Sequence, residues 1–160
     1  MLRAIKAPFR RMTHREAVEF LRSKGSQITY ESDLGGTDET MITENDPTPV
    51  FVEKWPAKIK AFYMKRDPEN HDYVLGADLL APEGFGEIIC GSQREDDYEV
   101  LLARIKHENL PVEAFNWYLD LRKYGSVPHA GFGYGLERLT GWICGVHHIR
   151  ETIPFPRLMN

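Results

Sequence analysis

His129-Ala130-Gly131-Phe132-Gly133-Tyr134-Gly135-Leu136-Glu137-Arg138 is the stretch on which the reading of this chain turns. Glycines alternate along it and run directly into Leu136-Glu137-Arg138-Leu139, where a helical apolar pattern begins. On an extended strand this spacing puts Gly131, Gly133 and Gly135 on one face, a flat strip without side chains. Phe132 and Tyr134 then point the other way, toward a core. An arginine in the first helical turn stands beside the strip, an arrangement that suits a flat aromatic ring under a guanidinium. A plain strand-to-helix connection, its glycines relieving crowding, uses the same residues. The pattern is neither of two familiar nucleotide signatures. Leu136 stands where a dinucleotide fingerprint needs its last glycine, and no phosphate loop ending in Gly-Lys-Ser or Gly-Lys-Thr occurs.

Working outward, Ser126 to Tyr134 reads as the glycine strand and Gly135 to Cys144 as the helix after it, stopped by Gly145. Upstream, Pro111 opens a helix that turns Val112, Phe115, Tyr118 and Leu119 inward. Tyr98, Leu101, Leu102 and Ile105 mark another, preceded by Glu95, Asp96 and Asp97. Strands are expected at Pro49 to Val52, Lys58 to Lys65, His71 to Leu80 and Gly86 to Cys90, with Pro82-Glu83-Gly84 turning between the last two. Nearer the N-terminus, Thr13 and Glu16 form a capping box for a helix from His14 that stops at Gly25. Met1 to Arg11 is a basic entry segment. Gln27 to Pro49 is an acidic surface connection with a short helix near Asp38 to Ile42. Short connections between strands predict an α+β fold, one antiparallel β-sheet backed by helices, over residues 1–160 as one domain.

Composition narrows the class. The 160 residues suffice to bury roughly 70% of the unfolded surface. A net charge of −4 gives no footprint for strong autonomous nucleic-acid binding. No apolar run reaches membrane-span length, and the cationic N-terminus lacks a signal-peptide core, so no membrane partner is expected. Cys90 and Cys144 fit reduced thiols and a cytoplasmic location. His147 and His148 are adjacent and point about 100° apart on a helix, a poor pair for one metal ion.

A second stretch, Asp78 to Arg94, carries candidate chemistry. Asp78 and Glu87 interrupt apolar strands on either side of one turn, where two carboxylates facing each other would be relieved by Mg²⁺; surface-facing acids would look the same. Arg94 follows Gly91-Ser92-Gln93 at a strand end. It suits a small polar substrate held by two charge-assisted bonds, or an ion pair with Glu95, Asp96 or Asp97.

Together these stretches resemble the C-terminal half of a class II aminoacyl-tRNA synthetase catalytic core, in the asparaginyl branch of the aspartyl/asparaginyl subgroup. The resemblance runs from about Pro8 to Arg157. Gly131 to Arg138 is similar to the third class-defining motif, and Lys60 to Met64, Glu87 to Arg94 and Tyr124 to His129 add to it. It implies that Arg138 stacks on adenine and approaches the ATP phosphates, acting in catalysis. It implies a seat shaped by Glu87, Gly133, Gly135, Leu136 and Glu137, with Mg²⁺ at Asp78 and Glu87. Arg94 would hold the side chain of asparagine or aspartate, with Cys90 and Gly91 lining the same strand. The acids after Arg94 favour the asparaginyl branch, since aspartyl enzymes usually carry a histidine there.

The implied reaction joins the amino-acid carboxylate to the α-phosphate of ATP and passes the product to tRNA. The family's first and second motifs and its anticodon-binding domain are not in the sequence, so about half a site is expected. A complementing N-terminal half or a homo-oligomer would supply the rest. A ligase that makes free asparagine without tRNA, an aspartyl-tRNA synthetase and a non-catalytic nucleotide- or protein-binding remnant remain alternatives.

Overall fold

The computed structural model describes residues 5–157. Its centre is a five-stranded sheet: β1 (Arg10–Thr13), β2 (Val50–Pro56), β3 (Tyr73–Ala81), β4 (Gly86–Gln93) and β5 (Ala130–Tyr134). Strand order in the sheet follows strand order in the chain. Pairings from β2 to β5 are antiparallel, as expected, but β1 runs parallel to β2, so the sheet is mixed. The entry segment therefore ends in a strand.

Thr13 closes that strand and caps the next element. Its hydroxyl accepts the Glu16 N–H at 3.2 Å and its own N–H donates to the Glu16 carboxylate at 2.7 Å, starting α1 (His14–Ser23). A second helix, α2 (Gly36–Thr43), lies where the acidic connection promised one. Ala17, Val18 and Leu21 of α1 and Ile42 of α2 bury themselves against Val50, Val52, Trp55, Val74 and Leu80 of the sheet. The other face carries Leu79, Ala81 and Ile88 under Trp142 of α5 (Leu136–Cys144), which ends at Gly145 in the left-handed region. A third cluster forms between α3 (Tyr98–His107), capped by Asp97, and α4 (Asn116–Lys123), around Leu101, Ile105 and Leu119.

Two expectations fail. Lys58 to Lys65 is not a strand. The Ala57 N–H donates to the Asp72 carbonyl and the Met64 N–H to the Ala61 carbonyl, so the segment folds into turns and only Met64 bridges to Arg94. Nor are Phe132 and Tyr134 in a core. They are 70% and 54% exposed, because β5 is an edge strand and the described residues put nothing over them. A third expectation needs adjustment. Gly131 and Gly133 do share one face, but Gly135 has left the strand and caps α5.

Candidate active site

Register decides which side chains meet. Asp78 pairs with Cys90, Cys90 with Gly133, and Ser92 with Gly131, so all of these face one way. A bulge between Leu79 and Leu80 then sets Glu87 opposite Leu80, bringing its carboxylate to the same face and diagonal to Asp78. The helices α1 and α2 cover that face over β2 and β3; over β4 and β5 it lies open, floored by the glycines. The opposite face holds Gly91, whose absent side chain leaves room for Phe132: a Cβ there would stand 2.9 Å from the Phe132 Cβ. Gly91 thus sits on the expected strand but presents only backbone to the site.

Arg94 is poised at one end. Its Nη1 donates to the Ser92 hydroxyl at 2.9 Å and its guanidinium lies over the Tyr63 ring, 4.6 Å from the centroid. Gly131 makes space for it, since a Cβ there would fall 3.1 Å from Nη2. The acids that follow Arg94 are engaged elsewhere. Lys65 takes Glu95 and Asp96, and Asp97 caps α3, so among the described residues Arg94 has no carboxylate partner. Behind it Phe62, Tyr63, Phe115, Trp117 and Tyr118 line an aromatic cavity of about 370 Å³.

Arg138 stands at the other end, in the first turn of α5. Its Nη1 donates to the Glu87 carbonyl at 2.7 Å, and its methylenes run beside Gly135, which lacks the side chain that would meet them at 3.6 Å. Leu136 and Glu137 of the same turn are exposed. Gly133 lies between the two arginines with nothing within 4 Å of its Cβ position.

Between them lie the carboxylates. Asp78 is 2% exposed and its Oδ2 receives the Lys60 ammonium at 2.9 Å; Lys60 also lies 3.5 Å from Asp33 and 3.6 Å from the centre of the Trp55 ring. Burial opposes the charge on Lys60, but Asp78 and Asp33 hold its pKa above the ordinary lysine value. Burial and the charge of Asp78 push the Glu87 carboxyl upward. Burial, then Asp78, pushes the Cys90 thiol up to about 12, so it remains protonated. Glu39, reaching from α2, accepts the Glu87 N–H at 3.0 Å. Lys60 and Glu39 were not among the residues the sequence nominated.

Asp78 and Glu87 make a two-carboxylate donor set, and no group of three or more metal-ligating side chains converges among the described residues. Mg²⁺ takes one or two carboxylates and draws its remaining ligands from phosphates and water, so two suffice. Of the pair, Glu87 has no cation at salt-bridge distance among the described residues, while Asp78 already has Lys60.

This arrangement has close counterparts. The family of class II tRNA synthetases (D, K and N) matches residues 2–159. The asparagine–tRNA ligase of Pelotomaculum thermopropionicum is 60% identical over 99% of this chain, and that of Desulforamulus reducens 58%. The crystal structure of asparaginyl-tRNA synthetase from Pyrococcus horikoshii complexed with asparaginyl-adenylate superposes with a TM-score of 0.92 at 52% identity, covering 95% of this chain and 35% of that one. The chain spans 37% of the length of these two ligases. With a family match over nearly its whole length and a sheet that carries two arginines and a carboxylate pair around a glycine floor, the chain belongs to the class II tRNA synthetases of the D, K and N group.

Proposed function

We propose that this chain is the C-terminal part of an asparaginyl-tRNA synthetase catalytic core, activating asparagine with ATP for transfer to tRNA. The observation that carries this is the Arg94 guanidinium, without a carboxylate partner among the described residues, stacked on Tyr63 and facing an open glycine floor with Arg138 at its far end. Such a planar donor fork suits the side-chain oxygen of asparagine or aspartate, and the likeness to asparagine–tRNA ligases favours asparagine. At the other end, Arg138 supplies a cation for adenine and phosphate, and Glu87 with Asp78 would hold Mg²⁺.

In the reaction a carboxylate oxygen of asparagine bonds to the α-phosphorus, the bond to the bridging oxygen breaks, and pyrophosphate leaves. Little proton transfer is needed, so the protein acts by positioning and by charge. Mg²⁺, when bound, neutralises phosphate charge. Arg94 fixes the amino acid, Gly133 lets the nucleotide lie against the sheet, and Arg138 covers it. Cys90, held as a thiol, adds no charge beside the substrate. An arginine for the α-phosphate must come from outside these residues, from an upstream segment or a second copy. This reading places the chain in the cytoplasm, within a homodimeric enzyme.

Amino-acid-dependent ATP–pyrophosphate exchange tests it, with asparagine and aspartate offered separately. Exchange with asparagine supports the proposal, and exchange with aspartate alone moves the chain to the aspartyl branch. Mg·ATP binding without exchange, even after an upstream class II segment is added, leaves a binding remnant and overturns it.

A further inference from the structure

Glu39 is the feature of this site that its chemistry does not yet use. It lies on α2, 48 residues before the Glu87 it touches, and its carboxylate is turned inward toward the turn between β3 and β4. Among the described residues no cation approaches it within salt-bridge distance. Its Oε2 accepts the Glu87 N–H at 3.0 Å. On the far side of the same residue, the Glu87 carbonyl accepts from Arg138 at 2.7 Å. The main chain of Glu87 is thus gripped by a carboxylate at its N–H and by a guanidinium at its carbonyl.

The neighbouring backbone is built around that grip. Gly86 has φ +67°, and a Cβ on it would stand 2.3 Å from Glu39 Oε2, so only glycine leaves the carboxylate its seat. Glu39, Gly86 and Arg138 together line a cavity of about 270 Å³, beside Phe85 stacked on His147. Partial burial of an unpaired carboxylate is a costly way to hold a turn. A main chain that must not rotate is a reason to bear that cost, because rotation at Glu87 would swing its side chain and withdraw the anchor of Arg138 together.

We infer that Glu39 is a positioning residue for ATP, fixing the Glu87 main chain so that the Glu87 carboxylate and the Arg138 guanidinium are presented to the nucleotide in one arrangement. This rests on the reading of Glu87 and Arg138 as the ATP side of the site. Glu39 itself touches no reacting atom. Its contribution is the acceptor oxygen, so an amide in its place keeps the function and a methyl group does not.

The experiment compares Glu39→Ala and Glu39→Gln with the parent chain. Mg·ATP affinity is read by calorimetry and the exchange rate of the Glu87 amide hydrogen by NMR, with thermal melts to confirm folding. Loss of one hydrogen bond to a charged acceptor corresponds to about a tenfold or greater weakening of Mg·ATP binding in Glu39→Ala, with faster Glu87 exchange. Glu39→Gln should stay within about threefold of the parent in affinity, as an amide oxygen still accepts the bond. Unchanged ATP affinity in a folded Glu39→Ala chain overturns the inference, as does a Glu39→Gln chain as impaired as Glu39→Ala. A parent chain that binds no Mg·ATP overturns the reading of the site and, with it, any role of Glu39 toward ATP. Glu87 exchange then shows whether the grip itself exists.

Discussion

Lys60 and Asp78 form a buried ion pair across the floor of the site, with Nζ 2.9 Å from Oδ2 and side chains only 10% and 2% exposed. The ammonium also rests on the Trp55 ring, so a cation from a turn and an acid from a central strand lock the first cluster to the open face. Breaking such a pair from one side leaves a charge without its partner. Lys60→Met should cost about 3–5 kcal/mol of stability, and the double change with Asp78→Asn should recover part of it, both read by urea denaturation.

On the proposed reading Arg94 serves as a fork for the amino-acid side chain, and charge alone would not substitute for that. Arg94→Lys should raise the KM for asparagine about 10- to 100-fold while the KM for ATP barely moves, because charge is kept and the paired donors are lost. Gly131→Ala should act in the same direction through geometry, its Cβ standing 3.1 Å from Nη2 of Arg94. Pyrophosphate exchange at varied asparagine measures both.

The two cysteines should separate cleanly. Cys144 is exposed, whereas Cys90 is half-buried with its thiol pushed up to about 12 by burial and by Asp78. At pH 8 iodoacetamide should label Cys144 and spare Cys90, as read by peptide mass spectrometry. The sign with pH follows. The unfolded thiol ionises near 9.0, the folded one near 12, so from about pH 9 upward the unfolded state holds fewer protons. Stability contributed by Cys90 is therefore present below pH 9 and falls as pH rises toward 12. Cys90→Ser should flatten that limb of the stability curve.

Phe132 and Tyr134 face solvent on an edge strand whose outer hydrogen-bonding groups have no strand partner among the described residues. Such an edge pairs with whatever strand is offered. The chain alone should elute as concentration-dependent oligomers on sizing, and Phe132→Lys should shift it toward monomer. Adding an upstream class II segment should end the concentration-dependent series by occupying the edge, leaving a single defined species, the proposed homodimer.

What the sequence made legible was local. The glycine alternation needs only neighbouring residues, so a strand with Gly131 and Gly133 on one face and Arg138 in the next helical turn was legible. The capping box at Thr13, the Pro82 to Gly84 turn and the position of Arg94 at a strand end are local too. What stayed hidden depends on distant partners. Lys60 sits in an alternating run that reads as a strand, and only the fold-back of Ala57 onto Asp72 turns it toward Asp78. Four residues of β1, two of them arginines, have no strand pattern; they pair with a strand about forty positions later. Glu39 meets Glu87 across 48 residues, and nothing around Glu39 in sequence marks it. Even Phe132 and Tyr134 alternated as core residues would, and their exposure reflects what does not cover them.

The sheet's order, each strand beside its predecessor in the chain, has a consequence for synthesis. A ribosome delivers these strands in the sequence in which they must pair, so each newcomer finds its neighbour already in place. Asp78, Glu87 and Arg94 are all made before Gly131 to Arg138 leave the exit tunnel. The carboxylate pair and Arg94 are thereby in place first, and the glycine strand with Arg138 is the last stitch of the described sheet.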